Sequence, residues 1–88
     1  MSEFLSMEIT YPQFRKYPNN KAFFKIISST IWEEIQVVGS KHILNHFTVN
    51  ILPDRNFIYD MTFDYKNNWT AIEEEEYLFY RKNAEPGK

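Results

Sequence analysis

The chain has no cysteine. Disulfide staples, thiolate zinc sites and cysteine nucleophiles are excluded. Glycine is nearly absent too, with only Gly39 and Gly87. No glycine-rich loop can cradle a phosphate, which sets aside nucleotide-dependent enzymes of the P-loop and Rossmann types. No stretch approaches the ~20 apolar residues needed to cross a bilayer. Residues 1–9 carry Glu3 and Glu8 and lack the apolar run of a signal peptide. The formal net charge is only -2, which argues against wholesale binding to nucleic acid. These absences point to a soluble cytoplasmic protein with no cofactor and no membrane partner.

What the chain does have is rings. Aromatic residues make up 18% of its 88 positions: eight Phe, six Tyr and two Trp. A chain this short forms one domain and hides roughly 60–65% of its unfolded surface. Large rings give much buried area per residue and offset the short length. The near-neutral sum also conceals a gradient. Between Tyr11 and Ile27 the charged residues are Arg15, Lys16, Lys21 and Lys25, whereas Glu73 to Glu76 is purely acidic.

One pattern nearly occurs twice. Phe24 to Ile35 lines up with Trp69 to Tyr80, and each follows a Tyr-x-Asn-Asn tetrad, Tyr17 to Asn20 and Tyr65 to Asn68. An internal repeat of strand, turn, strand and helix is the expectation. Residues 13–17 and 22–27 are rich in β-formers and flank Pro18-Asn19-Asn20, a turn sequence in which Asn tolerates the left-handed region. Thr30 and Glu33 have capping-box spacing, Ile31, Ile35 and Val38 fall at i, i+4, i+7, and Gly39 follows. Together these predict a helix over 30–38. Residues 41–51 read as a strand. Pro53 to Asn56 reads as a tight turn, and 57–65 alternates as a half-buried strand with Phe57, Tyr59, Met61, Phe63 and Tyr65 on one side. Residues 69–72 predict a short strand. Glu73 to Glu76 and Arg81, Lys82 suit the two ends of a helix over 74–82.

The expected fold is α+β in the order β-β-α-β-β-β-α, a mainly antiparallel sheet of about five strands with two helices packed on one face. Residues 1–9 are expected as a flexible N-terminal segment, 10–83 as a single compact domain and 84–88 as a disordered tail.

Chemistry-bearing residues mostly have plain structural explanations. His42 and His46 are four apart, but on a strand that separates them by ~13 Å, too far for one metal. Asp60 and Asp64 share a strand face expected to be wet. Glu73 to Glu76 point in different directions around a helix and cannot converge on one ion. Ser28, Ser29 and Thr30 lack a nucleophile elbow. No catalytic, cofactor or metal site is expected.

Three functional expectations follow. The first is a non-enzymatic protein-interaction module that self-associates as a dimer or binds another protein, because helices on one face would leave Leu44, Ile58, Phe24 and Ile26 on the other. The second is an accessory protein binding nucleic acid through the basic-aromatic hairpin 11–27, with Arg15, Lys16, Lys21 and Lys25 for phosphate and Tyr17 and Phe24 for stacking. The third is a small ligand-binding protein or enzyme with a site on the 41–65 hairpin, built from His42, His46, Asp60 and Asp64.

Overall fold

The computed structural model describes residues 10–50 and 52–87. The described residues form an α+β fold, with a six-stranded, mostly antiparallel sheet and two helices. Strands β1 (Gln13–Lys16), β2 (Ala22–Ile26), β3 (Ile31–Val38) and β4 (Lys41–Thr48) are consecutive in sequence and in space. Helix α1 (Leu52–Phe63) leads to β5 (Thr70–Ala71), and α2 (Glu74–Arg81) leads to β6 (Glu85–Pro86). The sheet order is β5-β1-β2-β3-β4-β6.

Short turns fix the meander. Asn20 takes a positive φ of 62°, and the Asn19 side chain accepts the Lys21 N–H at 2.9 Å. Ser28 Oγ accepts the Thr30 N–H at 3.2 Å and shapes the β2–β3 connection. Gly39, at φ 62°, opens the two-residue β3–β4 hairpin, where a positive φ in first position is the glycine-favouring case.

Two segments exchange secondary structure relative to the sequence reading. Residues 31–38 are a strand, although helix spacing was present. This is an interior strand covered on both sides, with Trp32 buried on one face and Ile35 on the other. Such a strand loses clean alternation and mimics helical spacing. Residues 57–63 belong to a helix, although they alternate. Ile58, Met61 and Thr62 are the buried positions, at helical spacing, while Tyr59 and Phe63 are exposed. Pro53 lies in the first turn, where a missing N–H leaves no bond unmade. The strand at 41–48, the short strand at 70–71 and the helix at 74–81 fall where the sequence puts them.

The helices lie on opposite faces, not on one. The α1 layer gathers Ala22, Phe24, Ile26 and Trp32 under Ile58, Met61 and Trp69. The α2 layer gathers Phe14, Phe23 and Ile35 under Tyr77. Topology explains this. The pairings make β4, β5 and β6 run the same way. The chain crosses from β4 to the far edge through α1, then returns from β5 through α2. Crossovers between parallel strands have one strongly preferred hand, and two running in opposite directions share it only on opposite faces. Phe24, Ile26 and Ile58 are therefore interior, and Leu44 is half-buried against the α2 layer.

The duplicated segments diverge beyond the tetrads, so the repeated strand-turn-strand-helix block is not formed. Phe24 to Ile35 spans a hairpin, whereas Trp69 to Tyr80 spans a two-residue strand and a helix. The tetrads themselves do share a structure. The Asn20 N–H donates to Tyr17 O at 2.9 Å, and the Asn68 N–H donates to Tyr65 O at 3.0 Å. Within the stretch expected as a tail, Glu85–Pro86 pairs in parallel with Ile43 and Leu44. The expectation for residues 1–9 lies outside the described residues. No helix among the described residues is long and apolar enough to cross a membrane.

Candidate functional site

The six residues of the basic-aromatic hairpin do not form one surface. Register places Arg15 and Phe24 side by side on the α1 face, and Lys16 and Lys25 on the α2 face. Phe24 is core at 1% exposure. Arg15 is 4% exposed. Its Nε donates to Met61 O at 3.0 Å, Nη2 to Thr62 O at 3.3 Å and Nη1 to Phe14 O at 2.8 Å. The guanidinium also sits 4.0 Å from the Tyr65 ring centroid. Burial pulls the Arg15 pKa below its ordinary value, partly opposed by Tyr65. A β1 side chain thus satisfies the free carbonyls at the end of α1, whose own last turn has no basic residue. Lys16 pairs with Glu76 at 2.9 Å. Lys21 is exposed and Lys25 half-buried. Tyr17 is half-buried against Phe24 and Trp69.

The proposed grouping of His42, His46, Asp60 and Asp64 is not assembled, because the second strand of that hairpin is helix α1. His42 points into the α2 layer, where its Nδ1 lies 2.9 Å from Tyr80 O. Asp60 is exposed on α1 and Asp64 is exposed just past its end, on the other side of the sheet. Among the described residues no three His, Cys, Asp or Glu side chains are placed to hold a metal ion.

Two adjacent carboxylates on β3 meet opposite environments. Glu33 Oε1 accepts from the Tyr77 hydroxyl at 3.0 Å and from Arg81 Nε at 3.3 Å. Burial alone pushes its pKa up, but these two hydrogen bonds and the charges of Arg81 and Lys25 outweigh it, and the net shift is downward. The Tyr77 hydroxyl is pushed far up, first by burial and then by Glu33. Glu34 faces the α1 layer, and burial raises its pKa. The signs are therefore opposed. The lowered Glu33 pKa contributes stability present above the ordinary carboxylate range and lost as pH falls through it. The raised Glu34 pKa contributes stability present at low pH and lost as pH rises. Glu33→Gln is expected to lose about 1–2 kcal/mol at about pH 7, with the difference shrinking as the pH falls below the ordinary carboxylate range. Glu34→Gln should match or exceed wild type at about pH 7. Urea melts across pH check both; a Glu33→Gln deficit independent of pH would contradict the linkage.

Sequence reasoning missed two features. The first is a cleft of about 630 Å³ where the two tetrad turns meet α1. Tyr17, Phe57 and Trp69 supply its aromatic walls, and Asn19, Asn68 and Asp60 its polar groups. Trp69 stacks near-parallel to Tyr17 at 6.1 Å and stands edge-on to Phe57 at 5.5 Å. The Trp69 indole N–H is buried and has no partner among the described residues, an omission worth about 1–3 kcal/mol. The repeated Tyr-x-Asn-Asn was the available signal.

The second is the outer edge of β4. β6 pairs only with Ile43 and Leu44 of this eight-residue strand. The Gly87 N–H donates to Leu44 O at 2.7 Å, so the backbone groups of Leu44 point away from β3. The Val49 N–H reaches Thr30 O at 2.7 Å on the β3 side. By strand alternation the N–H and C=O groups of His46 and Thr48 face outward, and among the described residues no strand pairs with them there. No protein-family model, curated protein or solved structure matches this chain. Function therefore has to be argued from these two features.

Proposed function

We propose that the protein is a non-enzymatic interaction module that self-associates by antiparallel pairing of the β4 edges of two copies. The observation that carries this reading is an eight-residue strand that, among the described residues, is paired on its outer side at Ile43 and Leu44 alone. An uncovered edge is a template for another strand unless it is guarded by charge, proline or a bulge. Asn45 to Val49 contains neither proline nor lysine. Exposed Phe47 lies 4.9 Å from the Trp32 ring, nearly parallel to it.

Register supports a second copy as the occupant. In an antiparallel pair, residues whose backbone groups point at the partner face one another. His46 opposite Thr48 of the second copy meets this rule and places Phe47 on the two-fold axis against its counterpart. Two exposed rings are then removed from water together. The contact is short, so association is expected in the micromolar range.

Sedimentation of the full chain at about 100 µM should give a dimer. Thr48→Pro removes an N–H that points away from β3, so the monomer keeps its fold while the edge loses a donor. The variant is expected to sediment as a folded monomer. A monomeric wild type, or a Thr48→Pro dimer, contradicts the reading.

A further inference from the structure

We propose that the cleft between the two Tyr-x-Asn-Asn turns is a binding site for a small, uncharged, hydroxyl-rich ring, a mono- or disaccharide. The site lies by the β5–β1 edge, across the sheet from the β4 edge, so it stands or falls separately from self-association.

Charge narrows the ligand first. Among the described residues no lysine or arginine lines the cleft, and the charged group there is the Asp60 carboxylate. Phosphates and carboxylates meet repulsion there with no compensating cation. The walls narrow it further. Tyr17, Phe57 and Trp69 present ring surface, which suits the C–H face of a sugar ring. A plain hydrocarbon would also fit these walls but would leave the polar groups unpaired.

Those polar groups are of both kinds. Asn19 already accepts the Lys21 N–H through Oδ1, leaving its NH₂ to donate. Asp60 accepts only, and the Asn68 amide does both. Hydroxyls, which donate and accept, can serve all three. The Trp69 N–H adds a donor without an acceptor. A quaternary ammonium would use the rings and Asp60 yet offer this N–H nothing. The indole nitrogen is covered, so pairing with a sugar oxygen requires the ring edge to tilt into the cleft. The volume of about 630 Å³ is within the range of small-ligand sites.

The experiment is a nitrogen-15 NMR titration of the full chain with glucose, N-acetylglucosamine, maltose and chitobiose, each to about 50 mM, with choline and phosphate as comparison probes. The Trp69 indole signal is identified by its loss in Trp69→Phe. At least one sugar should shift the Trp69 indole and the Asn19 and Asn68 amide signals saturably. Trp69→Phe and Asp60→Asn should each weaken that sugar about tenfold, which corresponds to about 1.4 kcal/mol. If Trp69→Phe fails to fold, Asn68→Ala, at an exposed position, takes its place and should weaken binding too. Absence of a saturable shift with all four sugars overturns the proposal. So does binding of choline or phosphate alone, or unchanged sugar affinity in the folded variants.

Discussion

Arg15→Met is expected to lower stability by about 3–5 kcal/mol, read from urea denaturation at neutral pH. Three buried donors leave with the guanidinium, and the carbonyls of Phe14, Met61 and Thr62 lose them. A small domain has about 5–10 kcal/mol in all, so the variant should sit near its unfolding midpoint. Arg15→Lys should recover little. A compact ammonium cannot span carbonyls on two elements and also lie flat over Tyr65. The loss should appear first as faster amide exchange at the end of α1, the element that Arg15 holds to β1. If Arg15→Met stays within about 1 kcal/mol of wild type, the guanidinium is not what fastens that helix.

Phe23→Ala and Phe24→Ala should each lose about 3–5 kcal/mol, although the residues are neighbours. They are the same side chain on opposite sides of one strand. Phe24 packs in the α1 layer with Trp32 and Trp69. Phe23 packs in the α2 layer, stacked on Tyr80 at 3.9 Å. The milder Phe23→Leu and Phe24→Leu should separate their effects by location. Exchange should rise mainly in α2 for the first and mainly in α1 for the second. The same pattern in both variants would mean that the layers do not open independently.

That two-layer arrangement also explains what could and could not be read from the residues. The hairpin turns were legible because their chemistry is local. Pro18-Asn19-Asn20 needs a left-handed residue and supplies Asn at φ 62°. α2 was legible because its acidic start and basic finish are local as well. The error at 31–38 has a non-local cause. Trp32 and Ile35 serve different layers, and only the second layer, formed by a helix that begins at Glu74, makes both sides apolar. Tyr59 and Phe63 produced the opposite error, since exposed rings on a helix completed a false alternation. Arg15 read as a surface cation because nothing near it in sequence provides its partners, which lie 46 and 47 residues away. The cleft was half-legible. Its two turns were visible as a repeated tetrad, but their meeting depends on α1 carrying the chain back to the β1 edge.

The order of the sheet has a consequence for the chain as it emerges from the ribosome. The whole β1–β4 meander is encoded before the first helix begins. Its contacts are local and its turns short, conditions that favour early pairing. During that interval Phe23, Phe24, Ile26, Trp32 and Ile35 belong to a sheet with neither cover in place. The nascent protein is then sticky on two sides at once, and the order of synthesis closes one side with α1 before α2 seals the other.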